Sequence, residues 1–104
     1  AEIYRDAYAF STIEPKGLES PTVVCAQAAN ELLNIRGIKA SIVLTLYNDI
    51  IYVSARSIDE MNVQVLMEKL GGGGNGATAG AQIKGKPLRE VLQELVAAID
   101  AFYA

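Results

Sequence analysis

The chain contains no histidine and a single cysteine, Cys25. Without histidine and with one thiol, the usual zinc ligand sets cannot be assembled, and no disulfide can close within the chain. One unpaired cysteine fits a reducing compartment, so a cytoplasmic location is expected. Aspartates and glutamates are present, but no cluster of them has the ligand spacing of a magnesium or calcium site. No metal or cofactor is therefore expected in this domain. Positive charge is also scarce: nine Lys and Arg against twelve Asp and Glu leave a net charge of -3. Tight binding to duplex DNA needs a dense basic surface and is not expected. A small anionic ligand is still compatible, because clustered backbone N–H groups can outweigh a mildly negative surface. No apolar run approaches the ~18 to 20 residues that cross a bilayer. The N-terminal AEIYRDAYAF lacks the basic start and apolar stretch of a signal peptide.

What is present suits one globular domain, residues 1–104. Hydrophobic residues make up 51% and charged residues 20%, and a chain of this length buries roughly two-thirds of its unfolded surface. No internal repeat or linker divides it. It begins on Ala1 rather than Met, which reads as a piece of a longer protein.

Alternating apolar residues over 7–14 predict a first strand buried on both faces. Pro15–Glu19 is expected to be a turn. Ser20 and Pro21 then stand where an N-cap and N1 residue belong, and predict a helix with Val24, Ala28, Leu32 and Ile35 on one stripe and Gly37 as its stop. Cys25 lies beside that stripe and reads as a small core residue, since no base or second thiol is there to activate it. A hairpin follows, 40–47 and 50–56 around Asn48-Asp49. A helix from about Glu60 to Leu70 would bury Val63, Leu66, Met67 and Leu70, ending at four glycines, Gly71–Gly74. A short strand over Ala79–Lys84 precedes a long amphipathic helix, about Pro87–Tyr103, with Leu88, Val91, Leu92, Leu95, Val96, Ile99 and Phe102 as its apolar stripe. The order β-α-β-β-α-β-α predicts an α/β (α+β) fold, a mixed sheet of about four to five strands carrying three helices.

Four glycines exceed what a helix C-cap needs, and each extra one costs about 0.5 to 1 kcal/mol relative to Ala. Close approach of the backbone to a ligand, or a nest of N–H groups around an anion, could offset that cost. A plain flexible connector is the alternative. Nearby, Arg56 stands at a strand end beside two hydroxyls, with the forked donor geometry that suits phosphate oxygens. An ion pair with Asp59 or Glu60 is its structural alternative. Asn62 opens the helix leading to the glycines, where capping is the simpler role.

These segments carry a resemblance. Ser54-Ala55-Arg56-Ser57, Asn62-Val63-Gln64-Val65, Leu70-Gly71-Gly72-Gly73-Gly74-Asn75 and Ala79-Gly80-Ala81-Gln82 together resemble the C-terminal, DHH-associated domain of DHH-family phosphoesterases. The likeness is greatest to GdpP-type cyclic-di-AMP phosphodiesterases. Ala29-Asn30-Glu31-Leu32-Leu33-Asn34-Ile35-Arg36-Gly37 resembles their first helix, and the likeness spans roughly residues 7 to 102.

The resemblance implies a division of labour. A separate DHH domain would hold two manganese ions and activate the attacking water. This domain would close over the cleft and bind a cyclic dinucleotide or short oligonucleotide. Carried onto this sequence, Arg56 and Ser57 would meet a phosphate, Gly72, Gly73 and Gly74 would line the nucleotide, and Asn62 and Asn75 would join the site. The isolated domain would be inactive, and the parent would be membrane-anchored with this domain facing the cytoplasm. One position departs from the family: its motif ends Gly-Gly-Gly-His, whereas Asn75 stands here. Asn donates a hydrogen bond but cannot become cationic, a loss worth about 1 to 3 kcal/mol of phosphate binding. Asn75-Gly76 is also an ordinary turn dipeptide. Two other readings follow from the same residues. One is an oligoribonuclease, 3′-phosphoadenosine phosphatase or exopolyphosphatase-like protein. The other is a non-catalytic nucleotide-binding or dimerisation module, pairing as a homodimer through a sheet edge or the last helix.

Overall fold

The computed structural model describes residues 1–14, 20–58 and 60–104. The turn expected over Pro15–Glu19, and Asp59 as a partner for Arg56, lie outside the described residues. The elements are β1 (Glu2–Tyr4), β2 (Tyr8–Thr12), α1 (Pro21–Leu32), β3 (Ala40–Tyr47), β4 (Ile50–Ser57), α2 (Val63–Lys69), β5 (Gly73–Asn75), β6 (Thr78–Lys84) and α3 (Leu88–Ala101). They form one six-stranded mixed sheet in the order β1-β2-β3-β4-β6-β5. Only β2 and β3 are parallel, and α1 joins them; every other neighbouring pair is antiparallel.

The α+β class and the three helices agree with the sequence pattern, but the sheet has two strands more than the order β-α-β-β-α-β-α contains. Those two are β1, a short N-terminal hairpin partner, and β5, which lies within the glycine run. The β1–β2 turn places Arg5 and Asp6 at φ 51° and 57°, and the Asn48-Asp49 turn uses 52° and 65°. Both are left-handed conformations; Asn48-Asp49 makes the two-residue turn between Tyr47 and Ile50 that requires them, while Arg5-Asp6-Ala7 makes a three-residue loop between Tyr4 and Tyr8. Asn and Asp tolerate them and advertise the second turn.

Helix α1 starts where expected: Ser20 Oγ accepts from the Val23 N–H at 3.1 Å, with Pro21 at N1. It stops at Leu32, short of Gly37. Beyond it the Asn34 and Ile35 N–H groups bond back three residues to Glu31 and Leu32, so the chain tightens into turns and Ile35 is left exposed. The residues it buries are Cys25 and Ala29. Burial pushes the Cys25 thiol up to about 11, consistent with a core role. α2 begins three residues later than the apolar pattern suggested. Asn62 caps it, its Oδ1 accepting from Gln64 and Val65 N–H at 3.0 and 3.4 Å.

The helices divide between the two faces of the sheet. Apolar residues of α2 and α3 (Val63, Leu66, Met67, Val91, Leu95, Ile99) pack with Tyr8, Phe10, Ile42, Leu44, Ile51, Val53, Ala55, Ala79, Ala81 and Ile83 into the main core. On the opposite face α1 packs on β3 and β4, where Cys25 and Ala29 meet Val43 and Tyr52. Small residues let α1 sit close, and Ser41 Oγ donates to the Ala29 carbonyl at 2.6 Å. Because α1 covers β3 and β4, no helix of the described residues covers the same face of β6 and β5, and a cleft forms there.

Candidate functional site

The cleft has a volume of about 480 Å³, within the usual range for small-molecule sites. Its walls are Thr22 and Ala26 of α1, and its floor is the front of β4, β6 and β5. Strand register arranges the floor in rows, because residues directly opposite across a ladder share a face. Arg56 faces Thr78, which faces Asn75. Ser54 faces Gly80, which faces Gly73. Tyr52 faces Gln82.

Among the described residues Arg56 is the one charged side chain lining the cleft. It forms no ion pair among the described residues, so the pairing with Glu60 is not made. One of its donors, Nη1, is held by the Ala55 carbonyl at 2.9 Å. The other guanidinium donors remain for a ligand. The side-chain polar groups of Thr22, Ser54, Thr78 and Gln82 line the same space and make no hydrogen bond among the described residues. Ser54 is 5% exposed, so its hydroxyl is a nearly buried polar group whose remaining opening is the cleft. Thr22 also stands in the first turn of α1, which contains no acidic residue. Pro21 has no N–H there, and the Val23 and Val24 N–H groups bond to Ser20 Oγ and Ser20 O, each at 3.1 Å, so the start of α1 is closed by its own cap.

The four glycines have separate reasons to be there. Gly71 has φ +88° and is the left-handed residue that ends α2. Its N–H bonds to Glu68 O at 3.1 Å and the Gly72 N–H to Met67 O at 2.8 Å, the paired bonds of a Schellman stop. These two N–H groups are thus spent inside the fold and do not contribute to an anion nest. A Cβ on Gly72 would lie 2.1 Å from Gly80 O, and one on Gly74 2.3 Å from Thr78 O. Gly74 also has φ +148°. At Gly73 neither constraint exists: its φ is not positive, and an added Cβ would meet nothing within 4 Å. It faces Gly80 on the cleft floor, so the space that it leaves free is the cleft itself.

Of the residues singled out in the sequence, Arg56, Gly72, Gly73 and Gly74 line this cleft. Asn75 stands at the end of the Arg56–Thr78 row. Its Oδ1 accepts from Ala77 and Thr78 N–H, both at 3.0 Å. This closes the β5–β6 turn and leaves the amide nitrogen as a neutral donor. Ser57 and Asn62 are not brought to the cleft. Side chains alternate along a strand, so Ser57 points opposite to Arg56, towards the main core, where it is 6% exposed. Its hydroxyl lies 2.8 Å from Met61 O and 3.1 Å from Gly76 O. Asn62 is occupied in capping α2. Together with the Val63 N–H to Gly76 O bond at 3.0 Å and the Ser57 N–H to Ala77 O bond at 3.0 Å, Ser57 and Asn62 fix the glycine hairpin from behind.

The sequence reading did not include Thr22, Tyr52, Ser54, Thr78, Gly80 or Gln82 among the site residues. The period-two pattern from Arg56 back through Ser54 to Tyr52 was a usable signal for two of them. The residues on β6 needed the strand register. Among the described residues no group of three or more metal-ligating side chains comes together, so these residues do not fit a metal centre.

A mixed sheet whose edge holds a glycine-lined cleft, with Arg56 as the one charged side chain lining it among the described residues, defines an α+β domain with an open cleft on one face. The chain belongs to the DHHA1 domain family, which matches residues 6–104. It is 46% identical over 103 residues to the cyclic-di-AMP phosphodiesterase PdeA of Listeria monocytogenes, covering 98% of this chain and 16% of that protein. To the cyclic-di-AMP phosphodiesterase GdpP of Bacillus subtilis it is 36% identical over 104 residues, covering 97% of this chain and again 16% of the relative. The crystal structure of an exopolyphosphatase-related protein from Bacteroides fragilis superposes with a TM-score of 0.80 at 20% identity, covering 97% of this chain and 31% of that one. That likeness is one of fold.

Proposed function

We propose that this domain grips the nucleotide phosphate for a DHH-family phosphodiesterase that hydrolyses cyclic-di-AMP to a linear dinucleotide. The observation that carries the reading is Gly73. No backbone or packing constraint of the fold accounts for its missing side chain, and the space left free opens on the cleft lined by Arg56. The likeness to two cyclic-di-AMP phosphodiesterases over nearly the whole chain supports the choice of substrate.

In this reading the Arg56 guanidinium donates to phosphate oxygens. The Thr78 hydroxyl and the Asn75 amide, in the same row, add neutral donors beside it. The bare floor at Gly73 and Gly80 lets the ligand lie against backbone. The chain spans 16% of the relatives' length, and the chemistry of bond cleavage belongs to a DHH domain outside it, which supplies manganese-activated water. This domain alone is inactive: it binds and orients. No helix among the described residues is long and apolar enough to cross a membrane; membrane anchoring, with this domain on the cytoplasmic side, belongs to other segments of the parent.

Calorimetric titration of the full-length protein with cyclic-di-AMP tests the reading. Arg56→Ala removes a charge-assisted contact and should weaken binding by about 1.5 to 3 kcal/mol. Equal affinity for wild type and Arg56→Ala would rule out the phosphate role.

A further inference from the structure

Charge is distributed unevenly along the cleft. Arg56 lies at one end of the β4 segment that lines it, and Tyr52 at the other. They are four positions apart along the strand, roughly 13 Å. Between them the Ser54–Gly80–Gly73 row presents one hydroxyl and otherwise bare backbone. The far row pairs a tyrosine ring with a carboxamide, Tyr52 against Gln82, and carries no charge.

We propose that the Tyr52–Gln82 row is the base end of the nucleotide site, and that the Gln82 carboxamide recognises the N6/N7 edge of adenine. The inference rests on Arg56 as the phosphate ligand and adds which ligand class fills the rest of the cleft. A polyphosphate carries charge at every unit and would need cations along the whole floor. A nucleotide is charged at one end and offers a flat, neutral heterocycle at the other, matching the order of these rows. Gln82 is exposed, lines the cleft and makes no hydrogen bond among the described residues, so its donor and acceptor are both uncommitted. Adenine presents one donor and one acceptor on its N6/N7 edge, which a glutamine meets with two hydrogen bonds. Guanine presents two acceptors there, and one would face the glutamine oxygen. Tyr52 packs beside Cys25, Ala29 and Val43 under α1, which fixes its ring as a wall next to the base.

The test is calorimetry of the full-length protein, without added metal, using cyclic-di-AMP and cyclic-di-GMP as probes. The variants are Gln82→Leu, Gln82→Glu and Arg56→Ala, with circular dichroism to establish that each is folded. Wild type should prefer cyclic-di-AMP. Both Gln82 variants should lose about tenfold in cyclic-di-AMP affinity, the scale of one good base contact, and change little towards cyclic-di-GMP. Arg56→Ala should weaken both ligands alike. If the Gln82 variants bind cyclic-di-AMP as wild type does, or weaken both ligands equally, while Arg56→Ala weakens both, the base end is wrongly assigned and the phosphate reading stands. If Arg56→Ala has no effect on either ligand, the phosphate reading fails, and the base assignment with it.

Discussion

Gly73 and Gly80 stand directly opposite each other in the β5–β6 ladder, so the middle of the cleft floor carries no side chain from either strand. The two are bare for different reasons. A Cβ on Gly80 would come within 2.9 Å of Val53 O, whereas one on Gly73 would enter open space. The fold therefore accounts for the missing side chain at Gly80 but not at Gly73, and substitutions can separate the two.

Replacing Gly72 and Gly73 one at a time should split stability from binding. Gly72→Ala drives a methyl into Gly80 O and the Ala81 side chain, an overpacking expected to cost about 1 to 3 kcal/mol. Gly73→Ala meets no obstacle and restricts the unfolded chain, so it should be neutral or stabilising by about 0.4 to 1 kcal/mol. Equilibrium urea denaturation of the two variants measures both. Equal destabilisation would show that Gly73 is constrained by the fold after all.

The N-terminal hairpin is tied to the last helix by a carboxylate, and this gives a prediction in acid. Tyr4 OH donates to Asp100 Oδ1 at 2.6 Å, and Arg5 Nε donates to the same oxygen at 3.0 Å. The Tyr4 hydrogen bond first, and then Arg5, hold the Asp100 carboxyl below its ordinary value. As pH falls the unfolded chain takes up that proton before the folded one does. The stabilisation is therefore whole above the ordinary carboxylate range and is lost as pH falls through the lowered folded value. Melting temperatures of wild type and Asp100→Asn should differ at pH 7, and the gap should narrow as pH falls below the ordinary carboxylate range. A gap that stays constant on acidification would contradict this role for the carboxylate.

Much of the fold was legible because it rests on short-range signals. The apolar stripe of α3, the Ser20-Pro21 start of α1 and the Asn48-Asp49 turn are each visible within a few residues. β5 was hidden because glycine is depleted in strands, and only pairing with β6 makes Gly73–Asn75 extended. β1 was hidden because three residues carry no period and Arg5-Asp6 is not a usual turn pair. The Tyr4–Asp100 and Arg5–Asp100 bonds join residues 96 and 95 positions apart, beyond any local pattern.

The candidate site was legible in part for the same reason. Arg56 and the glycine run stood out as residues that folding alone explains poorly. Ser57 was grouped with Arg56 although strand alternation sends adjacent side chains to opposite faces, a signal present in the sequence. Gln82 could not be found that way, since its place beside Tyr52 depends on the register between β4 and β6.

The most direct measurement is cyclic-di-AMP titration of full-length Gly73→Val, compared with wild type. A valine on an exposed edge strand suits the local conformation, so the protein should stay folded while the side chain fills the cleft floor and cyclic-di-AMP binding falls at least tenfold, about 1.4 kcal/mol. A folded Gly73→Val protein that binds cyclic-di-AMP with wild-type affinity would contradict the account.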